Sequence, residues 1–360
     1  MLTLNRIRLT QYKNYAQREF EFNHNVVAIT GLNGKGKTNL LDAIHYCCLA
    51  KSYFSPSSQL STMFGTDGFR IEGYFNKDER ALDVVCVTRG NKKELSLNAI
   101  PYEKFSQHIG TLPIVMIAPD DIELITGAAE QRRNFVDTLL CQLKPGYIQE
   151  LIKYNRLLQQ RNSQLRLMAS DSAVSSEILD ILDEQMAPVG LAIYKSRKEL
   201  LDKLLPLAAT FYRRISGTDE NVFLVYQSQL ENEELLALLV KGREKDLITQ
   251  RSNWGIHRDD LIFQLESKLF RLVASQGQRK SLLFALKLAE FEIIKERKGF
   301  SPMLLMDDVF EKLDGHRMNH LLQWVCTDNE GQVFITDTHR ERLEEAFDSV
   351  DITYQMIELE

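Results

Sequence analysis

The apolar run Val26-Val-Ala-Ile29 leads into Gly31-Leu32-Asn33-Gly34-Lys35-Gly36-Lys37-Thr38, and a helical segment, Asn39–Leu49, follows. Strand, glycine-rich loop and helix in that order, with the spacing G-x-x-x-x-G-K-[ST], make a phosphate loop. Gly31 and Gly36 permit the tight turn. The backbone N–H groups of Leu32, Asn33, Gly34 and Lys35 then line a cradle that opens onto a helix N-terminus and suits the β-phosphate of ATP. Lys37 is placed to neutralise the β and γ oxygens, and the Thr38 hydroxyl to ligate Mg²⁺. The stretch predicts an α/β nucleotide-binding fold.

Such a loop needs a carboxylate at the end of a neighbouring buried strand, and Pro302-Met-Leu-Leu-Met-Asp307-Asp308 supplies two. Asp307 is the candidate metal ligand, and Asp308 the candidate catalytic group, with Lys37, orienting the attacking water. Most of the chain lies between Lys37 and Asp307, far more than in small GTPases, and no guanine-binding N-K-x-D follows. The wide gap fits an ABC-type ATPase of the chromosome-maintenance kind. Ala274-Ser275-Gln276-Gly277-Gln278, ahead of a long helical stretch, resembles the ABC signature L-S-G-G-Q. In such ATPases Ser275, Gly277 and Gln278 would serve the γ-phosphate held by a second protomer, although Ser275 also reads as a plain helix N-cap. Glu311-Lys-Leu-Asp314 aligns with the D-loop, with Asp314 as its matching residue.

At this length the chain suggests about two domains of ~150 residues. Strand-like alternation fills the first 118 residues, a helical pattern the next hundred, and strand character returns at Val222–Tyr226 and Leu261–Leu265. The predicted organisation is an ABC-type head made from residues 1–118 and 219–360, with a helical arm at 119–218 inserted between. Within the arm, helices are expected over 147–168 and 175–215, the second broken at Pro188 and Pro206. Arg161 interrupts an otherwise apolar stripe of the first. Arg156, Arg161 and Arg166 recur along that helix and are candidate DNA-phosphate contacts, against the plainer reading of a solvated face.

The motifs together resemble the RecF family. The resemblance rests on LTLNRIRLTQYKNY at the N-terminus, TGLNGKGKTNLLDAIHYCCLAKSY, Pro119-Asp-Asp, Arg132-Arg133-Asn-Phe-Val-Asp137, Gln160-Arg161-Asn162, Gly255-Ile-His257-Arg258-Asp259-Asp260, SQGQRK and MDDVFEKLD. It departs from the family pattern at several positions. Lys13 replaces an arginine, keeping the charge but losing the bidentate fork, and is carried over as an ATP-binding residue. Ala129 and Ile256 replace prolines, and Glu311 replaces the D-loop serine. Asp337 stands where transporter ATPases carry a switch histidine, and no Q-loop glutamine is found near Ala118–Asp121. The resemblance implies an ATP-dependent homodimer that clamps DNA at single-strand/double-strand junctions. It also implies slow, DNA-stimulated hydrolysis, RecR- and RecO-like partners, and roles in gap repair, replication restart and SOS induction. A transporter ATPase subunit, or a nucleotide-dependent module without turnover, are the rival classes.

Composition agrees with this. The 360 residues are 44% hydrophobic and 26% charged, an ordinary globular balance. The net charge of −6 comes from the final stretch, where Glu341, Glu344, Glu345, Asp348, Asp351, Glu358 and Glu360 face only Arg342. The acidic total is thus no argument against a nucleic-acid partner. No apolar run is long enough to span a membrane. Five cysteines without a CxxC, and no secretory signal, suggest a reduced, cytoplasmic protein. His316 and His320 lack the glutamate of a zinc-binding H-E-x-x-H and read as a solvated face.

Overall fold

The structure is a computed structural model that describes residues 1–171, 175–217, 220–308 and 321–360. By internal contacts the chain forms two compact units. One comprises Met1–Ile122, Thr210–Asp219 and Ser275–Glu360, the other Glu123–Ala209 and Glu220–Ala274.

The first unit holds two sheets. Strands β1 (Leu2–Tyr12), β2 (Tyr15–Glu21), β4 (Gly68–Lys77), β5 (Arg80–Arg89), β6 (Lys92–Leu97) and β7 (Ile100–Pro101) form an antiparallel sheet in the order β2-β1-β4-β5-β6-β7. Strands β3 (Val26–Thr30), β8 (Ile114–Ile117), β12 (Met303–Met306), β13 (Val333–Asp337) and β14 (Gln355–Glu358) form a parallel sheet in the order β14-β3-β13-β12-β8. The strands β3, β8, β12 and β13 are buried at every position, which is why they read as continuous apolar runs without alternation. Helix α1 (Lys37–Leu49) touches β1, β4 and β5 of one sheet and β8 and β13 of the other. Its buried residues therefore go all the way round, from Leu40 and Leu41 to Tyr46, Cys47 and Cys48.

A side chain joins the two sheets where their backbones fall short. β1 slips register against β4 between Leu4 and Arg6, which disrupts the ladder there. The buried Gln332, just before β13, accepts from the Leu4 N–H at 2.6 Å and donates to the Leu4 carbonyl at 3.0 Å. One amide thus satisfies both backbone groups of Leu4.

The second unit contains α2 (Glu123–Thr126), α3 (Ala129–Leu143), α4 (Tyr147–Ser170) and most of α5 (Glu177–Ser216). It also holds β9 (Val222–Gln227), α6 (Leu235–Lys241), α7 (Arg243–Thr249), β10 (Asp260–Leu265), β11 (Lys268–Leu269) and α8 (Phe270–Val273). Two expectations change here. Residues 220–274 were assigned to the head, but β9, β10 and β11 make a separate antiparallel sheet, and β10 packs on α3. The expected breaks at Pro188 and Pro206 do not occur: α5 runs through both. Each proline forgoes one backbone bond, but its fixed φ is helical, and Met186, Val189, Ile193, Leu201 and Leu204 stay buried along the same face.

The long helix α9 (Gln276–Lys298) belongs to the first unit and ends at Gly299, whose φ of 75° is left-handed.

Replacing Gln332 with leucine would leave the Leu4 N–H and C=O buried without partners. We expect a loss of about 1–3 kcal/mol, read as a lower urea midpoint of unfolding; an unchanged midpoint would show that the amide link carries no stability.

Candidate functional site

The glycine-rich loop starts where β3 ends, at the carboxyl edge of the parallel sheet. That edge is where doubly wound α/β folds place ligands. Gly36 has φ of 105°, and a Cβ there would lie 2.7 Å from the Asn14 amide and from the Tyr15 hydroxyl. Tyr15 in turn donates to the Gly36 carbonyl at 3.0 Å, so β2 buttresses the turn from outside. Gly31 is equally closed to a side chain, because the Leu359 carbonyl lies 2.6 Å from where its Cβ would stand. Gly34, at φ 83°, faces open space. Leu32, Asn33 and Lys35 are exposed. The loop is therefore walled on its protein side and open on the other.

Lys37 is buried to 4% exposure, and its ammonium arches back to donate to the Gly31 carbonyl at 2.7 Å and the Leu32 carbonyl at 3.4 Å. Thr38 Oγ1 lies 3.0 and 2.9 Å from the two Asp307 oxygens. The sequence separated these two residues widely; the β3-β13-β12 pairing brings them together. Thr336 at the end of β13 also donates to Asp307, at 2.8 Å, while its own oxygen accepts from the Asp308 N–H at 2.9 Å. Burial pushes the Asp307 carboxyl up from its ordinary range, against the pull of Thr336 and Thr38. Asp308 has φ of 44°, the left-handed region, which is uncommon for a residue with a Cβ and costs ~1–3 kcal/mol. Hydroxyl and carboxylate oxygens converging beside a buried ammonium form a hard-oxygen donor set suited to Mg²⁺ and phosphate.

Thr336 was not singled out from the sequence. Its signal is a hydroxyl directly after the apolar run Val333-Phe-Ile335, one residue before Asp337. Asp337, the neighbouring candidate, stands beside Thr30 in register, accepts from the His339 N–H at 2.8 Å, and pairs with Arg342 at 3.3 Å.

Ser275 caps α9. Its Oγ accepts from the Gln278 N–H at 3.2 Å, and the Gln278 side chain accepts from the Ser275 N–H at 2.7 Å. The capping reading is thus realised, and Gln278 is taken up by the box. Ser275 and Gln276 are exposed, so this helix end faces outward. Asp314 and Glu311 of the D-loop, and His316 and His320, lie outside the described residues.

Two candidates are placed elsewhere. Lys13 pairs with Asp42 of α1 at 2.6 Å, so its ammonium is used inside the head. Asp42 also accepts from the Tyr12 hydroxyl, the Ser52 hydroxyl and the Tyr53 N–H. Burial pushes the Asp42 carboxyl up, but Lys13 and these donors outweigh it and hold the group below its usual range.

Arg161 is no DNA contact. It is fully buried, with Nε 2.6 Å from Asp183 on α5 and Nη1 2.6 Å from Asp246 on α7. The Ser252 hydroxyl and the Leu239 carbonyl take further N–H groups. An arginine on the apolar stripe of α4 is tolerable only because two carboxylates meet it there. Arg156 and Arg166 are exposed. Arg132, Arg133, His257 and Arg258 also bond internally: Arg132 to Asp260, Arg133 to the Asp259 carbonyl, His257 to Tyr154 and Arg258 to Asn253.

A family described as RecF/RecN/SMC N terminal domain matches residues 3–358. The DNA replication and repair protein RecF of Flavobacterium johnsoniae is 40% identical over 357 residues, 99% of either chain. That of Parabacteroides distasonis is 37% identical over 361 residues, covering 100% of this chain and 98% of its own. Among solved structures, the recombination mediator protein RecF-ATP in the RecFOR pathway superposes with a TM-score of 0.86 at 29% identity, over 94% of this chain and 92% of the other. An Smc head domain from Pyrococcus furiosus, with an extended coiled coil and bound to the C-terminal domain of ScpA, gives 0.56 at 15% identity, over 96% and 92%. The fold is that of an ABC-type ATPase head.

Removing the cation between Asp183 and Asp246 would leave two carboxylates buried together. Arg161→Met should lower the stability of the second unit by about 3–5 kcal/mol. Differential scanning calorimetry checks this, and a variant as stable as the parent would show that the ion pairs are dispensable.

Proposed function

The chain belongs to the RecF family, and we propose that it is an ATP-dependent DNA-binding protein of replication and repair whose heads close on DNA as a homodimer when ATP is bound. The observation that supports this most is the meeting of Asp307, from a distant part of the chain, with Thr38 beside Lys37 at one open loop. The donor set there fits a nucleoside triphosphate with Mg²⁺. The RecF relatives named for replication and repair, and the RecF solved with ATP, point the same way.

In this reading the loop Gly31–Gly36 would bind phosphate through its N–H groups, and Lys37 would turn from the Gly31 carbonyl toward the β and γ oxygens. Thr38 and Asp307 would hold the metal, which supplies charge neutralisation at the phosphates. Thr336 keeps Asp307 oriented and fixes the Asp308 backbone, so that the Asp308 carboxylate can take a proton from water. With a side chain one methylene shorter than glutamate, Asp308 suits slow turnover that times opening. The exposed end of α9, with Ser275 and Gly277, would meet the γ-phosphate held by the partner head, where its N–H groups and helix dipole favour an anion. Gln278 would have to leave its capping box to join them. Lys13 would act through Asp42 on α1, and Asp314 at the D-loop.

The DNA would be single-stranded or gapped duplex. RecR- and RecO-like proteins would be the partners in gap repair, replication restart and SOS induction, in the cytoplasm. Arg156 and Arg166 remain as phosphate contacts; Arg161 does not.

Sedimentation with ATP and Mg²⁺ tests the dimer. Ser275→Arg should leave ATP binding by a single head intact yet abolish ATP-dependent association, whereas Lys37→Met should fail at nucleotide binding itself. Loss of ATP binding in Ser275→Arg would place that residue in its own subunit's site and end the trans reading.

DNA affinity should depend on ATP and fall steeply with added salt as phosphate contacts release counterions. Salt-insensitive binding without nucleotide would overturn the clamp.

A further inference from the structure

Behind the phosphate loop the first unit buries a second set of charges that the proposed chemistry does not use. Lys287 on α9 lies between two carboxylates, 3.8 Å from Asp121 and 3.7 Å from Glu290 one helical turn along. All three groups are largely out of water: Lys287 side-chain exposure is 8%, Glu290 5% and Asp121 14%. One Glu290 oxygen is buried with no hydrogen-bond donor in reach among the described residues, and Lys287 stands at ion-pair distance. Three charges of net −1 in a buried place are one proton short of balance.

The cluster also sits at a junction. Asp121 lies in the turn after β8, where its carboxylate accepts from the Ala118 N–H at 2.8 Å. The preceding residue of β8, Ile117, accepts from the Asp307 N–H at 2.8 Å. The other Asp121 oxygen takes the Tyr53 hydroxyl, and the Tyr53 N–H donates to Asp42 in α1. From α1 through Tyr53 and Asp121 to α9, which Ser275 caps, the polar contacts are continuous.

We propose that Asp121, Lys287 and Glu290 form a proton-responsive node that sets the seating of α9, and with it the readiness of the Ser275 end to meet a partner head. With Glu290 neutral, Lys287 belongs to Asp121 and ties α9 to the β8 turn. With Glu290 ionised, the ammonium is shared, the buried place carries an excess negative charge, and the tie slackens. The only covalent change is the O–H bond of the Glu290 carboxyl, whose proton passes to and from water.

Electrostatics agree in direction. Burial pushes the Glu290 carboxyl up to about 7, Lys287 pulling it back and Asp121 adding to the rise. Burial pulls the Lys287 ammonium down, but Asp121, Tyr53 and Glu290 together bring it above its ordinary value. Among the described residues, the titratable groups facing the node include Tyr53, held protonated by burial, and His45, whose ring packs edge-on against Tyr53 and which burial lowers to about 4, so it stays neutral. Since the folded value of Glu290 lies above the unfolded one, its contribution to stability is present in full below the unfolded value and is lost as pH rises through about 7.

The inference rests on the ATP-dependent dimer proposed above, so its test carries a readout that does not. Association with ATP and Mg²⁺ is measured by sedimentation at about pH 6 and about pH 8, ATP binding being measured alongside, for the full chain and for Glu290→Gln, which fixes the neutral form. Wild-type association should weaken roughly tenfold across that interval while Glu290→Gln stays flat and near the low-pH value. Parallel profiles for the two proteins would overturn the node. If the wild type does not associate at either pH, the dimer reading fails by itself. The node is then judged on thermal unfolding, where the gap between Glu290→Gln and wild type must widen in favour of the variant as pH rises; a constant gap would overturn it.

Discussion

Everything in the first unit is arranged around a helix that cannot move. α1 leaves a left-handed glycine turn and is buried on all sides between an antiparallel and a parallel sheet. A helix buried at every position from Leu40 to Leu49 cannot slide or tilt without opening the close-packed core against both sheets. Its first residues, Lys37 and Thr38, are thus held at a fixed place and angle. The Gly31 and Gly36 backbones have no room for a side chain, because Leu359 on one side and Tyr15 on the other already fill the space. Rigidity in this site comes from packing behind it, and the groups that would meet a nucleotide face the one direction left open.

That arrangement explains which parts could be read in advance. The phosphate loop was legible because its backbone geometry demands glycine at set spacings, and the acid pair because a fully buried strand must end before a carboxylate can reach water. The partners of those groups were harder to find. Thr336 looks like any strand residue until the parallel pairing sets it beside Asp307. Lys13 is a cation near the right place, yet its partner Asp42 becomes visible only when β1 meets α1. Periodicity located α4 correctly and flagged Arg161 as an interruption. What the one-dimensional pattern lacked was that Asp183 and Asp246 converge there, which turns an apparent surface cation into the centre of a buried cluster.

The boundaries show the same limit. Strand character at β9 and β10 suggested a return to the head, because period-two alternation reports that a segment is half-buried and not which sheet it joins. Likewise Pro188 and Pro206 carry a local preference against helix interiors that is outweighed where a long apolar face is buried. Local signals were right about element type and silent about partners, and sites built from partners are where reading and structure diverged.

The strand order β14-β3-β13-β12-β8 has a consequence for how such a chain is made. β3, which launches the phosphate loop, is flanked on one side by residues 333–337 and on the other by 355–358, and Leu359 closes against Gly31. While the ribosome is still translating, β3 has emerged with neither neighbour available, so its two edges and its four apolar side chains wait through the synthesis of most of the polypeptide. Nascent chains in that interval present a sticky, unpaired strand and are natural clients for chaperones. A polypeptide released before those distal strands are added lacks both partners of β3 and the Leu359 contact at Gly31. Completing the environment of the phosphate loop therefore requires that synthesis has reached Leu359.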